Sequence, residues 1–309
     1  MKDYIAMFAE NDSRVLPDGM VWVTAGEGGD SLLVFGSEKT AMMDTGMAYC
    51  AKELVKNVER ELAAHGRENL DYIFLSHTHY DHMGALPYVL DRWPDAKVCA
   101  SAKAQYIFTR PGALNVIKNM GEGAKELFGG TDCDTEIRVD PLRVDIVLAD
   151  GDQISLGDKT VTALETKGHT DCSMSFGIDP GKILFASEST GVVVPEKGYV
   201  GSEILKSTAD AFAAADRCEA YGPEVIICPH YGVVPKAFNE HYFESGRQDA
   251  LMKKEYIKGL YDKGLDYDGI LEEYKNHFWT PGDEATQPFE AFLENAMNTI
   301  NVMLKEIEQ

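Results

Sequence analysis

The sequence predicts an α/β fold followed by a helical C-terminal extension. Three observations predict it: β-rich segments alternate with helical segments over the first two-thirds of the 309 residues, strand-like segments stop near residue 237, and the later segments are helical. Alternation of this kind is typical of sheets covered by helices. We therefore expect a first domain at residues 1–236 and a helical extension at residues 237–309.

The first strands are predicted by short apolar segments that glycine-containing turns separate. They are MVWVTAG (20–26), SLLVFGS (31–37), TAMMDTG (40–46), DYIFLS (71–76) and AKVCAS (96–101). Between them, AKELVKNVERELAAHG (51–66) has apolar residues at helical spacing and ends at a glycine, which predicts a helix. HMGALPYVLDRWP (82–94) predicts another helix, with an irregular first turn at Pro87.

The middle of the chain predicts a helical insertion and then a second series of strands. A helix near residues 113–130 is interpreted as an inserted flap. Strands are then predicted within 144–170, at 173–179, at 182–189 and at 224–232, with a helix at 202–222.

The extension is predicted to consist of helices, at 239–264 and 288–309. The second helix carries an apolar stripe, which predicts packing against the main domain. The stripe comprises Phe289, Phe292, Leu293, Ala296, Met297 and Ile300.

Composition excludes several classes of function. The formal net charge of −22 argues against nucleic-acid binding, which depends on lysine and arginine. The N-terminus has no apolar signal-peptide region, and no segment approaches the length of a membrane span. Six widely separated cysteines without a CxxC pair indicate reduced thiols. We therefore expect a cytoplasmic protein with neither a nucleic-acid nor a membrane partner.

Coordinating side chains follow several of the predicted strands. FLSHTHYDHMGALP (74–87) contains three of the eight histidines, and four other strand ends carry an imidazole or a carboxylate. Strand ends on one rim of a sheet lie close together in space. The candidate ligands are His77, His79, Asp81, His82, His169, Glu188 and His230. Seven ligands are too many for one tetrahedral ion and fit two ions that share a bridge.

Asp44, at the end of TAMMDTG, is expected either to stabilise a turn or to hydrogen-bond a ligand histidine.

Four segments of the sequence resemble those of a known family. HTHYDH is similar to the HxHxDH signature of the metallo-β-lactamase superfamily, and ETKGHTDCSMSF, ILFASEST and IICPHYG resemble its later segments, in family order, over about residues 20–235. The resemblance implies an αβ/βα four-layer sandwich, in which two mixed sheets face each other with helices outside. The main domain at 1–236 is accordingly interpreted as a metallo-β-lactamase-like domain.

The resemblance also implies the grouping of the ligands. His77, His79 and His169 would hold one ion, and Asp81, His82 and His230 the other. Glu188 stands where the family normally has a bridging aspartate. Cys172, next to a ligand segment, is expected to be a small buried thiol.

The function implied is a dinuclear metal-dependent hydrolase of a small-molecule ester, thioester, lactone or phosphoester. A metal-bridging hydroxide would attack, and Asp81 would orient it and receive a proton. Two divalent ions are expected, zinc first, with iron and manganese as alternatives. Tyr80 and Tyr231 are candidate substrate-binding hydroxyls, with wall packing as the alternative for each.

The C-terminal extension is expected to cover the active-site mouth. Segments 238–246 and 278–289 would form the roof and admit only a small molecule.

Two alternative functions stay open. One is a metal-containing regulatory or binding protein of the same fold with little turnover. The other is a diiron oxygen or nitric oxide reductase, which would need a carboxylate in place of His79 and a downstream flavodoxin domain for which the chain has no room. Whether the protein forms a homodimer is also open.

Overall fold

The first sheet is assembled from strands of the N-terminal half of the chain. The structure is a computed structural model that describes residues 4–281 and 288–309. Six strands lie side by side in chain order: β1 (Met20–Trp22), β2 (Leu32–Phe35), β3 (Thr40–Met43), β4 (Tyr72–Phe74), β5 (Lys97–Ser101) and β6 (Ile146–Leu148). The first three are antiparallel, and β3 to β6 are parallel. The sheet is therefore mixed, as predicted.

The second sheet is formed by the later strands. The chain continues through β7 (Gln153–Ser155), β8 (Thr160–Glu165), β9 (Met174–Asp179) and β10 (Ile183–Phe185), forms a separate hairpin of β11 (Val192–Val194) and β12 (Tyr199–Gly201), and returns with β13 (Val225–Cys228) and β14 (Gly232–Val233). The sheet order is β14-β13-β10-β9-β8-β7. Only β10 and β13 are parallel neighbours in this sheet among the described residues.

Helices cover the outer faces of both sheets. In chain order, the helices of the described residues are α1 (Tyr4–Glu10), α2 (Ala51–Ala64), α3 (Tyr80–Met83), α4 (Leu86–Arg92), α5 (Ala102–Phe108), α6 (Pro111–Phe128), α7 (Thr208–Tyr221), α8 (Asn239–Asp262), α9 (Tyr267–Phe278) and α10 (Phe289–Ile307), and α8 to α10 belong to the C-terminal extension. No described helix combines the length and apolar character needed to cross a membrane.

Alternating side chains divide the core into layers. Leu32 and Val34 of β2 lie in the cluster between the two sheets, whereas Leu33 lies in the cluster under the outer helices. Across the sheet interface the rings of Phe74 and Phe176 pack with centroids 5.2 Å apart. Because successive side chains of a strand point to opposite faces, each sheet packs on the other sheet with one face and on helices with the other. The layers are therefore helix, sheet, sheet and helix. This confirms the predicted αβ/βα sandwich with C-terminal helices.

The C-terminal helices have a small core of their own. Phe292, Ala296 and Ile300 of the predicted stripe are buried, and they pack with Ile257 of α8 and Ile270 of α9. The stripe therefore packs mainly inside the extension and not, as predicted, against the main domain. The reason is α9, a helix that the sequence analysis did not identify.

Segment 202–207 also differs from its prediction. The helix expected to begin at residue 202 begins at Thr208, where the Ser207 hydroxyl accepts a hydrogen bond from the Asp210 amide at 3.1 Å. This cap marks the true helix start. Segment 202–207 is an irregular connection that leads from β12 to α7.

The two segments predicted to roof the site differ in what can be described. In 238–246, Phe238, Tyr242 and Phe243 are buried in the core beneath the outer face of the second sheet. In 278–289, residues 282–287 lie outside the described part of the chain.

Candidate metal centre

The seven candidate ligands lie at one edge of the sandwich. His77 and His79 lie between β4 and α3, and Asp81 and His82 lie in α3 itself. The others follow strands of the second sheet: His169 comes after β8, Glu188 lies in a short 3-10 helix after β10, and His230 lies between β13 and β14. Five remote segments of the chain therefore converge, since Asp44 at the end of β3 is also present there.

The ligand atoms form two groups. Those of His77, His79 and His169 all lie within 4.8 Å of one another. The same holds for the second group, which comprises Asp81, His82, Glu188 and His230. The structure thus brings the seven candidate residues together in the two sets that the resemblance implies, with Glu188 beside the second set, and their role as metal ligands stays a prediction.

Glu188 lies between the two groups. Its Oε1 is 2.6 Å from His82 Nε2 and 3.0 Å from His230 Nε2. Its Oε2 is 3.0 Å from His169 Nε2. One carboxylate therefore presents a separate oxygen to each group, even though the side chain is one methylene longer than the aspartate usual in the family.

A buried nitrogen shows that the donor set fits a cation. His77 is 1% exposed, and its Nε2 has no hydrogen-bond partner among the described residues. Burying an unpaired polar atom is costly, whereas a metal ion would coordinate this nitrogen. Imidazole and carboxylate donors suit zinc, iron or manganese.

The protonation of the histidines differs between the groups. Burial lowers the pKa of His77 well below its usual value and lowers that of His79 to about 4. Both rings are therefore neutral near pH 7, with a lone pair available for coordination.

The second group attracts positive charge. Burial lowers the pKa of His82, but the charge of Asp81 and further carboxylate contacts outweigh it and raise that pKa well above normal. Burial raises the pKa of Glu188, but the histidines around it hold that pKa well below its usual range. Two carboxylates in a buried site thus favour a nearby cation, which a metal ion would supply.

Asp44 orients His82. Its Oδ1 accepts from the Ser76 amide at 2.7 Å, and its Oδ2 lies 2.6 Å from the Ser76 hydroxyl and 2.8 Å from His82 Nδ1. A carboxylate only accepts, so Nδ1 carries a proton, and Nε2 is the ring atom that points at Glu188 and the second ligand group. Asp44 is fully buried and has a φ of +50°, a conformation that aspartate and asparagine tolerate. Of its two predicted roles, hydrogen bonding to a candidate ligand is the one seen.

His169 is held from three directions. Its amide donates to the Ser189 hydroxyl at 3.0 Å, and its Nδ1 donates to the Glu203 carbonyl at 2.9 Å. The preceding Gly168 packs so closely on α7 that an added Cβ would lie 2.6 Å from Ala211.

The two candidate tyrosines lie in different surroundings. The Tyr231 hydroxyl accepts from Asn11 at 3.1 Å, and its ring packs edge-on against Phe8 of α1. Tyr80 is half-buried, and burial together with the charge of Asp81 raises its pKa. A substrate-binding role for either stays a prediction.

Cys172 is a buried thiol, as expected. It is 1% exposed, and its Sγ lies 3.2 Å from Thr170 Oγ1 and 3.4 Å from Thr78 Oγ1.

Three further groups that orient the ligands were not predicted from the sequence. Ser76 immediately precedes His77, so its position was visible in the sequence although its hydrogen bond to Asp44 was not. Ser189 likewise follows Glu188 directly. Glu203 acts through its backbone carbonyl, which leaves no signal in the residue types.

Comparison with known proteins agrees with this architecture. A family model described as "Metallo-beta-lactamase superfamily" matches residues 25–230. The chain is 28% identical over 164 residues to a coenzyme F420H(2) oxidase of Methanocaldococcus jannaschii, a match that covers 52% of this chain and 33% of the oxidase. It is 27% identical over 192 residues to an acyl-coenzyme A thioesterase of Homo sapiens, covering 57% of this chain and 64% of the thioesterase. The chain thus spans less than two-thirds of the length of these relatives.

Solved structures share the fold over nearly the whole chain. A metallo-beta-lactamase family protein from Thermus thermophilus has a TM-score of 0.66 and 19% identity, covering 95% of both chains. An archaeal metallo-beta-lactamase superfamily protein from Sulfolobus tokodaii has a TM-score of 0.61 and 20% identity, covering 93% of this chain and 99% of that one. Identity at this level indicates a common fold only.

Proposed function

Because the chain belongs to the metallo-β-lactamase superfamily, we propose that it is a dinuclear metal-dependent hydrolase of a small-molecule ester, thioester, lactone or phosphoester. The observation that carries the proposal is the position of Glu188, whose two oxygens face two separate groups of ligands. His77, His79 and His169 would hold one ion, and Asp81, His82 and His230 the other, with Glu188 between them. Zinc is the expected metal, and iron and manganese accept the same donors.

Bound ions would acidify a water molecule and polarise the carbonyl or phosphoryl oxygen of the substrate. The chain's own contribution is to orient that water and to accept its proton. Asp81 is suited to both tasks, because its Oδ2 lies 3.4 Å from both His82 Nε2 and His230 Nε2 and its side chain is 15% exposed. A carboxylate at this position reaches the second ligand group and is also open to solvent and substrate.

A small-molecule substrate is supported by the C-terminal extension and by the charge. Asn295 of α10 donates to the Glu203 carboxylate at 3.0 Å, and Glu294 contributes to the raised pKa of Tyr80. Helix α10 is therefore close to the ligand segments, and we propose that it covers the mouth of the site. The net charge of −22 disfavours a nucleic-acid substrate.

A cytoplasmic location belongs to the same proposal. All six cysteines are free thiols, in keeping with a reducing compartment.

The test combines metal analysis with a substrate panel. Metal per chain is measured first, and aryl phosphodiester, thioester and lactone substrates are then assayed. We expect two metals per chain and turnover of one substrate class. Assayed with enough zinc to keep both sites occupied, Asp81→Asn is expected to reduce kcat by at least ~100-fold, the usual contribution of a general base.

Asp95→Asn is the matched control. It makes the same chemical change at an exposed position before β5, at the opposite edge of the sheet, and is expected to leave kcat unchanged. Bound metal without turnover of any substrate would contradict hydrolysis and support a regulatory or binding protein.

The similarity to coenzyme F420H(2) oxidase makes a diiron reductase the second candidate. His79 opposes it, because that class is expected to carry a carboxylate at this position. Oxygen consumption by the iron-loaded protein with a reductant would favour the reductase, and the hydrolase proposal predicts none.

A further inference from the structure

We propose that the buried pair Asp249 and Lys253, in the C-terminal extension, positions the ligand His169 through segment 202–207. The inference rests on the metal centre of the proposed function but not on hydrolysis. It gives the extension a second role, because α8 would support the metal centre from behind in addition to any covering of its mouth by α10.

One backbone carbonyl orients the ring of His169. Its Nδ1 is 2.9 Å from the Glu203 carbonyl oxygen, which can only accept a hydrogen bond. Nδ1 therefore carries a proton, and Nε2 is the ring atom that faces His79 Nδ1 at 3.1 Å and Glu188 Oε2 at 3.0 Å. The position of one backbone carbonyl thus fixes both the tautomer and the direction of a candidate ligand.

Asp249 and Lys253 bind Ser202, the residue before Glu203. Asp249 Oδ2 accepts from the Ser202 amide and from the Ser202 hydroxyl, each at 2.7 Å. Lys253 Nζ donates to the Ser202 carbonyl at 2.9 Å and also lies 2.9 Å from Asp249 Oδ2. Both backbone polar groups of Ser202 are therefore bound by one ion pair, which fixes the peptide plane that leads into Glu203.

The burial of the pair indicates that it serves orientation more than stability. Asp249 is 4% exposed and Lys253 is 9% exposed. An apolar pair of similar volume often stabilises a fold at least as well as a buried ion pair does. Asp249 Oδ1 is also buried without a partner among the described residues. What the pair provides that an apolar pair cannot is the fixed position of Ser202.

Further contacts make segment 202–207 a rigid connection. Thr299 of α10 donates to the Ile204 carbonyl at 3.2 Å. The Lys206 amide donates to the Gly168 carbonyl at 2.9 Å, which returns the segment to the residue before His169. The extension therefore holds this segment from α8 and α10, and the segment holds His169.

The experiment uses full-length protein and the double variant Asp249→Asn with Lys253→Met. Changing both residues removes the two charges together, so neither is left buried alone. Zinc is titrated into metal-free protein in competition with a chromophoric chelator, and ¹⁵N shifts of the histidine rings assign each binding step to its ligands. The matched control is Lys258→Met with Asp262→Asn, an exposed ion pair of the same spacing on the same helix.

We expect the dissociation constant at the His77, His79 and His169 group to rise about 10- to 100-fold, with a change below about threefold at the other group. Lys253→Arg, which keeps the charge and the donors, is expected to retain most of the affinity. The exposed control pair is expected to change neither constant. Equal weakening at both groups, or no weakening at either, would overturn the inference.

A measurement on wild-type protein needs no variant to fold. Ring ¹⁵N shifts of the metal-free protein are expected to show His169 protonated at Nδ1, and a proton on Nε2 alone would overturn the inference. Wild-type protein that binds no metal refutes the proposed function and this inference together. Wild-type protein that binds two ions, with an unaffected double variant, refutes this inference alone.

Discussion

Asp44→Asn tests how the second ligand group is oriented. The asparagine preserves the size of the side chain and tolerates the φ of +50°, so the backbone has no reason to move. Asp44 accepts from three donors: the Ser76 amide, the Ser76 hydroxyl and His82 Nδ1. An asparagine has one acceptor oxygen, so its NH₂ group must face either the Ser76 amide or His82.

Either orientation disturbs the site. If the NH₂ group faces His82, Nδ1 must accept its hydrogen bond, so the neutral ring carries its proton on Nε2 and has no lone pair there for a metal ion. If it faces the Ser76 amide, a buried donor loses its acceptor. A hydrogen bond to a charged group contributes about 1.5–3 kcal/mol. Since 1.4 kcal/mol corresponds to a factor of ten, the affinity for the ion at this group is expected to fall roughly 10- to 100-fold.

The assay is zinc titration of metal-free protein against a chromophoric chelator. We expect the zinc affinity to fall at the group that contains His82 and to change little at the group that contains His77. The control is Asp145→Asn, which also removes a carboxylate that accepts a backbone amide, at 2.9 Å from Val98, but far from the ligands. Unchanged zinc affinity in Asp44→Asn, or equal weakening in the control, would refute the reasoning.

Three further predictions concern stability and zinc binding. Zinc at a free concentration 100-fold above its dissociation constant is expected to add about 2.7 kcal/mol per site to the free energy of unfolding. Urea denaturation with and without chelator measures this difference. Equal free energies of unfolding in the two conditions would contradict a native metal site. Burial raises the pKa of the Cys218 and Cys228 thiols to about 12, so the folded state retains protons that the unfolded chain loses above the ordinary thiol pKa of 9.0. Stability is therefore expected to fall as pH rises, by about 1.4 kcal/mol per thiol from pH 8 to 10, and Cys218→Ala should show a smaller fall in the same denaturation series. Gly29→Ala places a Cβ 2.3 Å from the Asp81 carbonyl oxygen and is therefore expected to weaken zinc binding in the chelator assay. Its control is Gly123→Ala, where the added Cβ lies in open space within α6. This control is expected to raise the free energy of unfolding by about 0.5–1 kcal/mol.

The candidate metal ligands were the predictable part of the site, because imidazole and carboxylate side chains are recognisable in the sequence. Three imidazoles within His77 to His82 are hard to explain except as ligands, and each remote ligand follows a strand with a clear apolar pattern. Strand ends on one edge are brought together by the sheet itself. His169 and His230 follow strands of the second sheet, so their convergence on this cluster also requires the two sheets to pack face to face.

Other features depend on contacts that residue types do not encode. The predicted helix included segment 202–207, yet Ile204 is buried with Ala250 of α8 and the true cap is Ser207. The Glu203 carbonyl acts through the backbone, which is the same in every residue type. The apolar stripe of α10 was read correctly as a buried face, but its partner α9 has only Ile270 and Tyr274 fully buried and gave a weak pattern. Tertiary packing therefore decided these elements.

The central claim is that two ions lie on either side of Glu188. Anomalous diffraction from crystals of the zinc-loaded protein, collected at the zinc edge, tests it most directly. We predict two peaks about 3.5–4 Å apart, one at His77, His79 and His169 and the other at Asp81, His82 and His230, with the Glu188 carboxylate between them. A map without peaks at these residues, or with a single peak that Glu188 does not contact, would contradict the account.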